Sequence, residues 1–230
     1  MTCSHMRDVR RMHSLAFIYS ITLTVFMSDN YTLLQRKYWI FDLDGTLTVA
    51  VHDFNAIRNE LGIPAGQPII KTIESLPENE SLALQQKLQE IEENLARNAR
   101  PAKGVKILLE ALHRRNYHLG ILTLNSRENA WFTLESLGLA DYFNEDSVFG
   151  RWCVEPKPSP NGIHRLLNYW KVAANDALIV GDYLYDLQVG RAAEIATVHV
   201  DPKGEFSWSE LADIQANSLD ELADLLAENS

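Results

Sequence analysis

The pattern of apolar and polar positions predicts strands that alternate with helices over the second half of the chain. A short apolar, aromatic run at 38–41 predicts a buried strand that breaks at a glycine turn. Further strands are predicted at 118–122, 147–149, 177–180 and 197–200, and helices at 105–115, 126–137, 159–169 and 184–193. Strands that alternate with helices form parallel sheets. We therefore predict an α/β fold with a doubly wound, Rossmann-like parallel sheet.

A purely helical pattern separates the first two predicted strands. Residues 54–61 and 81–97 place apolar side chains at helical spacing with charged residues between them. These segments predict a small all-helical cap at 53–102, inserted after the first strand. The catalytic core then comprises 37–52 and 103–230. Near the end of the chain, residues 208–228 predict two short amphipathic helices.

The first 36 residues precede this fold. Basic residues stand before an apolar run at 15–27 that resembles a short signal peptide. The run is too short to span a bilayer comfortably, and no A-x-A cleavage pattern follows it. We predict that 1–36 is an N-terminal extension, disordered or dispensable, with Met27 as the natural first residue.

Charge and cysteine content narrow the range of partners. The chain has 21 Lys and Arg against 31 Asp and Glu, a net charge of −10 that would repel a nucleic acid backbone. Its two cysteines, Cys3 and Cys153, have no metal-ligand spacing and are typical of a reducing compartment. We expect a cytoplasmic protein with neither nucleic acid nor membrane as a partner, and a homodimer is left open. An anionic substrate would then need a local binding device.

Polar side chains gather near the predicted strand ends, where ligands bind in a doubly wound sheet. The candidates are Asp42, Asp44, Thr123, Asn125, Lys157, Asp182 and Asp186. Carboxylates suit magnesium, and a lysine can neutralise charge on a transferring phosphoryl group. Asp42 and Asp44 share one side of an extended segment, so one can attack phosphorus while the other moves a proton.

Four motifs in this order resemble the haloacid dehalogenase-like hydrolases, and within them the phosphoglycolate-phosphatase-like branch with a small helical cap. They are Asp42-Leu-Asp-Gly-Thr-Leu-Thr48, the strand ending in Thr123, Lys157-Pro-Ser-Pro160 and Gly181-Asp-Tyr-Leu-Tyr-Asp186. Two departures stand out. Leu124 separates the motif Thr from Asn125, and residues 49–53 read Val-Ala-Val-His-Asp where many relatives carry Asp-Ser.

The resemblance implies a role for each candidate residue. Asp42 would be the nucleophile and a ligand of Mg²⁺, and Asp44 the general acid and base that binds the metal through its carbonyl. Thr123 and Lys157 would hold the phosphate, with Asn125 beside them. Asp182 would complete the metal site, and Asp186 would support it or orient Lys157.

These motifs predict a magnesium-dependent phosphatase that acts on a small phosphorylated metabolite, such as a sugar phosphate, a phosphoglycolate-like acid or a nucleotide. A lone Asp-x-Asp-Gly is typical of turns, but four motifs at successive strand ends favour catalysis. The alternatives are a phosphomutase on the same scaffold, a dehalogenase, which is less favoured, and a catalytically idle binding relative. Arg127 either meets an anionic substrate or serves its helix, while solvated positions are favoured for His52, Arg58 and Lys71.

Overall fold

The computed structural model describes residues 32–50 and 54–227. The strands are β1 (Tyr38–Phe41), β2 (His118–Ser126), β3 (Val148–Arg151), β4 (Ala177–Gly181), β5 (Ala196–Val200) and β6 (Ile214–Ala216). The helices are α1 (Phe54–Leu61), α2 (Ile69–Glu74), α3 (Glu78–Arg97), α4 (Val105–Arg114), α5 (Arg127–Leu137), α6 (Asn161–Trp170), α7 (Leu184–Ala192) and α8 (Leu219–Ala227).

All six strands form one parallel sheet in the order β3-β2-β1-β4-β5-β6. β1 lies at the centre, with Tyr38 opposite both His118 of β2 and Ala177 of β4. The strand order reverses direction at β1, and ligands bind beyond the carboxyl ends of strands at such a switch point. The predicted doubly wound α/β fold is confirmed, and the residues after β1 lie where its site is expected.

Side chains of β1 enter two hydrophobic clusters on opposite faces of the sheet. Trp39 and Phe41 lie in the larger cluster, which includes residues of α4, α5 and α8, whereas Ile40 lies in the cluster with α6 and α7. Alternation with period two produces this division. Because both faces of β1 are buried, its sequence is continuously apolar, as expected for the interior of a parallel sheet.

Helices α1 to α3 form the helical insertion between β1 and β2. They have their own apolar cluster, which includes Ile57, Ile73 and Leu88. Hydrogen bonds from Val49 N to Arg100 O and from Ala102 N to Leu47 O, both 2.9 Å, hold the outgoing and returning chains side by side. The insertion therefore begins and ends next to the carboxyl end of β1.

The secondary structure confirms most of the predicted elements with small shifts of their ends. Ser126 caps α5 by accepting a hydrogen bond from Asn129 N at 3.1 Å, and Gly138 ends the helix with a φ of 64°, as predicted. The short helix α2 was not predicted. Two helices at 208–228 were also predicted; the second exists as α8, whereas the first is reduced to a 3₁₀ turn at Ser209–Leu211 that precedes a strand.

The strand β6 replaces the first of those two predicted helices. Its three residues pair with β5, and the preceding Asp213 accepts a hydrogen bond from Thr197 N at 2.8 Å. A three-residue strand is too short to show a periodicity of its own, so tertiary pairing with β5 decided its conformation.

Residues 32–36 pack on the core. Leu34 is buried in the larger cluster, and Arg36 donates a hydrogen bond to Ala177 O at 2.8 Å. The extension predicted at 1–36 therefore ends in packed residues, and its remainder lies outside the described residues. In the described part of the chain, no helix is both long and apolar enough to cross a membrane.

Two adjacent residues of α4 provide a test of this packing. Leu108 is fully buried, whereas Ile107 is 57% exposed. We expect Leu108→Ala to lower the free energy of unfolding by about 2–5 kcal/mol because it leaves a cavity, and Ile107→Ala to change it by about 0.5 kcal/mol or less. Urea denaturation monitored by circular dichroism measures both. Equal losses would contradict the burial assigned to α4.

Candidate active site

A buried lysine joins two carboxylates at the carboxyl edge of the sheet. Lys157 Nζ lies 2.7 Å from Asp42 Oδ1 and 2.5 Å from Asp186 Oδ1. All three residues are at most 7% exposed. Burial alone would lower the pKa of Lys157, but the carboxylates of Asp186 and Asp42 more than offset it and raise that pKa. Lys157 is therefore a permanent cation in a site that water barely reaches.

The backbone fixes both carboxylates. Asp42 follows β1 directly, and its N–H donates to Val180 O of β4 at 2.9 Å. Asp186 lies in the first turn of α7, where its Oδ2 accepts from Tyr183 N at 3.1 Å. That bond satisfies an unpaired N–H at the start of the helix. Strand and helix thus bring the two carboxylates to the same lysine.

Asp182 follows β4 and is held by the turn after β1. Thr46 Oγ1 donates a hydrogen bond to Asp182 Oδ1 at 3.0 Å. Gly45 has a φ of 99°, and a Cβ at this position would lie 2.3 Å from Asp182 Oδ2. Only glycine accepts both this backbone conformation and this close contact. The sequence predicts a glycine turn at this position but no contact of Gly45 or Thr46 with Asp182, although both residues belong to the first motif.

Asp42, Asp182 and Asp186 form a cluster in which one carboxylate oxygen of each lies within 4.8 Å of the others. Burial and the nearby charges of Asp42 and Asp186 raise the pKa of Asp182 to about 8. Burial, together with the charge of Asp42, raises the pKa of Asp186 to about 6, against the opposing effect of Lys157. Three acids facing one lysine leave excess negative charge, and their hard oxygen donors suit Mg²⁺.

Asp44 lies outside this cluster and contacts Asn125 instead. Asn125 Nδ2 donates to Asp44 Oδ2 at 3.1 Å, while Asn125 N donates to Thr123 Oγ1 at the same distance. The departure at Leu124 explains this arrangement. Because side chains alternate along β2, the intervening residue places Thr123 and Asn125 on one face, and Leu124 is 39% exposed on the other.

Two other cations considered from the sequence, Arg127 and Arg58, donate to backbone carbonyls. Arg127 donates to Glu145 O at 2.8 Å and Val148 O at 3.2 Å, which ties the start of α5 to β3. Arg58 donates to Gln67 O at 2.8 Å within the insertion. His52 lies outside the described residues. The observed contacts of these two arginines are therefore structural.

The raised pKa of Asp182 predicts how stability depends on pH in metal-free protein. An acid with a higher pKa in the folded than in the unfolded chain binds extra protons when folded. The free energy of unfolding should therefore fall as pH rises between 3.8, the ordinary value, and about 8. We expect Asp182→Asn to flatten this decline. Urea denaturation in excess chelator from about pH 5 to about pH 8 measures it.

Asp141→Asn serves as the control because Asp141 is an exposed carboxylate remote from the cluster. This variant should keep the wild-type pH dependence. If Asp182→Asn and the wild-type protein decline in parallel, Asp182 does not carry the extra proton.

Comparison with known proteins gives the same assignment as the motifs. The family model described as haloacid dehalogenase-like hydrolase matches residues 52–200. The match begins after Asp42 and includes Thr123, Lys157, Asp182 and Asp186.

Individual relatives match over most of their length. A phosphoglycolate phosphatase of Nitrosococcus oceani is 25% identical over 85% of this chain and 96% of its own. Another phosphoglycolate phosphatase, from Photobacterium profundum, is 29% identical over 71% of this chain and 81% of its own. The crystal structure of a hydrolase from Pseudomonas syringae has a TM-score of 0.69 at 23% identity, covering 84% of this chain and 98% of that one. The chain belongs to the haloacid dehalogenase-like hydrolase family.

Proposed function

We propose that the protein is a magnesium-dependent phosphatase that hydrolyses a small phosphomonoester through a phosphoryl group carried on Asp42. The observation that carries this proposal is the buried contact between Lys157 Nζ and Asp42 Oδ1, 2.7 Å long, beside a cluster of acids. The lysine places a positive charge beside Asp42 and fixes its orientation. A positioned carboxylate is a competent nucleophile toward phosphorus.

The reaction takes place in two displacements. In the first, a carboxylate oxygen of Asp42 forms a bond to phosphorus, and the bond from phosphorus to the alcohol oxygen breaks. In the second, water attacks the same phosphorus, and the bond to Asp42 breaks to release inorganic phosphate. Lys157 lies against Asp42 in both steps and neutralises charge on the phosphoryl oxygens.

Asp44 is the residue we assign to proton transfer. Its carboxyl gives a proton to the departing alcohol and takes one from the attacking water, so the two steps return it to its starting state. The 3.1 Å hydrogen bond from Asn125 Nδ2 to Asp44 Oδ2 orients the Asp44 carboxyl. Thr123, which shares a strand face with Asn125, is assigned to the phosphate.

The cation would be held by Asp42, Asp182 and the main-chain carbonyl of Asp44. Both oxygens of Asp186 are engaged, by Lys157 and by Tyr183 N, so we assign Asp186 to support. Bound there, Mg²⁺ would supply positive charge to the transferring phosphoryl group.

We also propose that the helical insertion acts as a cap over this site, with its bounds at 53–102. It leaves the core directly after the loop that carries Asp42 and Asp44. Its helix α3 packs on the core through Arg97, which lies 5.6 Å from the ring of Phe132 on α5. An element in this position excludes water and contacts the part of the substrate that is not phosphate.

Replacing Asp42 tests the covalent step. We expect Asp42→Asn to reduce turnover of an aryl phosphate by at least about 10³-fold while the protein stays folded, because the nucleophile is lost. Asp141→Asn should turn over at the wild-type rate, and excess chelator should stop wild-type turnover until Mg²⁺ is restored. Release of inorganic phosphate measures all three.

Two outcomes would count against the proposal. Substantial turnover by Asp42→Asn would exclude Asp42 as the nucleophile, and an inactive wild-type protein with added Mg²⁺ would favour the idle binding relative. A sugar monophosphate that is isomerised without phosphate release would identify a phosphomutase.

Removing the insertion tests the cap. We replace residues 53–98 by a short linker, which keeps the hydrogen bonds of Val49 with Arg100 and of Leu47 with Ala102. We expect residual turnover of a small aryl phosphate and loss of discrimination among phosphorylated metabolites. Circular dichroism confirms that the core is folded, and an unchanged metabolite preference would exclude a cap role.

A further inference from the structure

A pocket lies between the helical insertion and the core. It has a volume of about 240 Å³ and is bordered by α2 and α3 on one side and by the start of α5 and the end of β3 on the other. Ser126 lies on its border and donates its N–H to Asn125 Oδ1 at 2.8 Å. Asn125 in turn donates to Asp44. Two residues, Ser126 and Asn125, therefore link the pocket by hydrogen bonds to the carboxylate that we assign to proton transfer.

A buried ion pair crosses the pocket from the insertion to the core. Arg151 of β3 donates to Glu92 of α3, and the two side chains are only 9% and 10% exposed. Among the described residues, Arg151 Nε has no hydrogen-bond partner. The pocket is therefore bordered by an arginine whose positive charge is already neutralised. Glu128, which also lines the pocket, leaves an excess of one negative charge.

The uncharged polar side chains at the pocket are Ser126, whose hydroxyl caps α5, and two glutamines. Gln85 Nε2 donates to Ser81 Oγ and Gln89 Nε2 to Glu93 Oε1, each at 3.1 Å. A primary amide has two N–H donors and an acceptor oxygen, so both glutamines retain hydrogen-bonding capacity for a ligand. Neutral donors and acceptors side by side match hydroxyl groups.

Trp152 provides an exposed aromatic surface at the pocket. Its φ is 76°, an unfavourable conformation for a bulky residue, and the side chain is 59% exposed. The Arg151 guanidinium lies 5.7 Å from its ring centre. Backbone strain that holds a large ring in solvent is a common feature of ligand-binding sites.

We infer that this pocket binds the alcohol part of the substrate and that this part is an uncharged polyhydroxylated group, so that the substrate is a sugar or polyol monophosphate. This inference rests on the proposed phosphatase function. Hydroxyl groups can exchange hydrogen bonds with the glutamines, and a sugar or polyol can place its C–H face on Trp152.

Two other substrate classes fit the pocket less well. A carboxylate would meet an arginine already neutralised by Glu92 and a second acid at Glu128, and like charges in a partly buried site are strongly unfavourable. A nucleoside is too large, because 240 Å³ lies below the range of about 300–1,000 Å³ that holds drug-sized ligands.

The test compares kcat/KM for a pentose monophosphate, glycerol phosphate, phosphoglycolate and an aryl phosphate. We expect the two hydroxylated substrates to exceed phosphoglycolate by at least about tenfold in the wild-type protein. A preference for phosphoglycolate alongside normal aryl phosphate turnover would overturn the inference and leave the proposed function standing. No turnover of any substrate with Mg²⁺ would overturn both.

Removing the charge of Glu92 should change this selectivity. Glu92→Gln leaves Arg151 positively charged, so we expect the ratio of sugar phosphate to phosphoglycolate kcat/KM to fall by at least about tenfold. Glu90→Gln is the matched control, because Glu90 is an exposed acid on the same helix and does not line the pocket. An unchanged ratio in folded Glu92→Gln would overturn the inference.

Two further variants decide the matter if Glu92→Gln does not fold. Glu128→Gln affects an exposed side chain and should shift the ratio in the same direction by about threefold. Trp152→Gly relieves the positive φ, so it should fold, and it should lower kcat/KM for the pentose phosphate by about tenfold. Wild-type selectivity in both variants would exclude the pocket from substrate binding.

Discussion

The structure of this site depends on an excess of buried negative charge that a single lysine only partly compensates. Asp42, Asp182 and Asp186 approach one another closely, and Lys157 contacts two of them. Removing the lysine would leave uncompensated buried charges, which is far more costly than losing an exposed pair. Burial, together with the remaining imbalance of charge, raises the pKa values of Asp182 and Asp186. A site that holds surplus carboxylate charge in this way is prepared for a cation and a phosphate together.

The fold brings these charges together because β1 lies between β2 and β4. The carboxyl ends of those three strands carry Asp42, Asn125 and Asp182, which are far apart in sequence and adjacent in the sheet. Small residues then permit the close approach. A side chain at Gly45 would strike the Asp182 carboxylate, and one at Gly181 would lie 2.1 Å from Asp186 Cβ. The two glycines therefore allow the backbone to approach Asp182 and Asp186 closely, and the arrangement of charges depends on that approach.

Sequence patterns predicted the sheet and the gathering of acids and Lys157 at its strand ends, but not the contacts among them. The strands that precede Asp42 and Asp182 were identifiable because their apolar runs stop just before these polar residues. β6 was missed because three residues show no period, and α2 because Ile69–Glu74 is shorter than two helical turns. The contact of Asn125 with Asp44 depends on how β2 alternates after Leu124. That contact links residues 81 positions apart, which no local pattern specifies.

The balance of charge differs between the core of the site and the pocket at its border with the insertion. Inside the core, Lys157 faces more acid than it can neutralise, whereas Arg151 at the pocket is matched by Glu92 from the insertion. In the proposed function, the core would therefore hold a cation and an anionic phosphoryl group, and the pocket would hold neutral hydrogen-bonding groups. Because Glu92 belongs to α3 and Arg151 to β3, their pairing also couples the insertion to the sheet. The residue that neutralises the pocket is thus also one that holds the insertion against the core. In the proposed function, substrate selection and the position of the cap would therefore depend on the same ion pair.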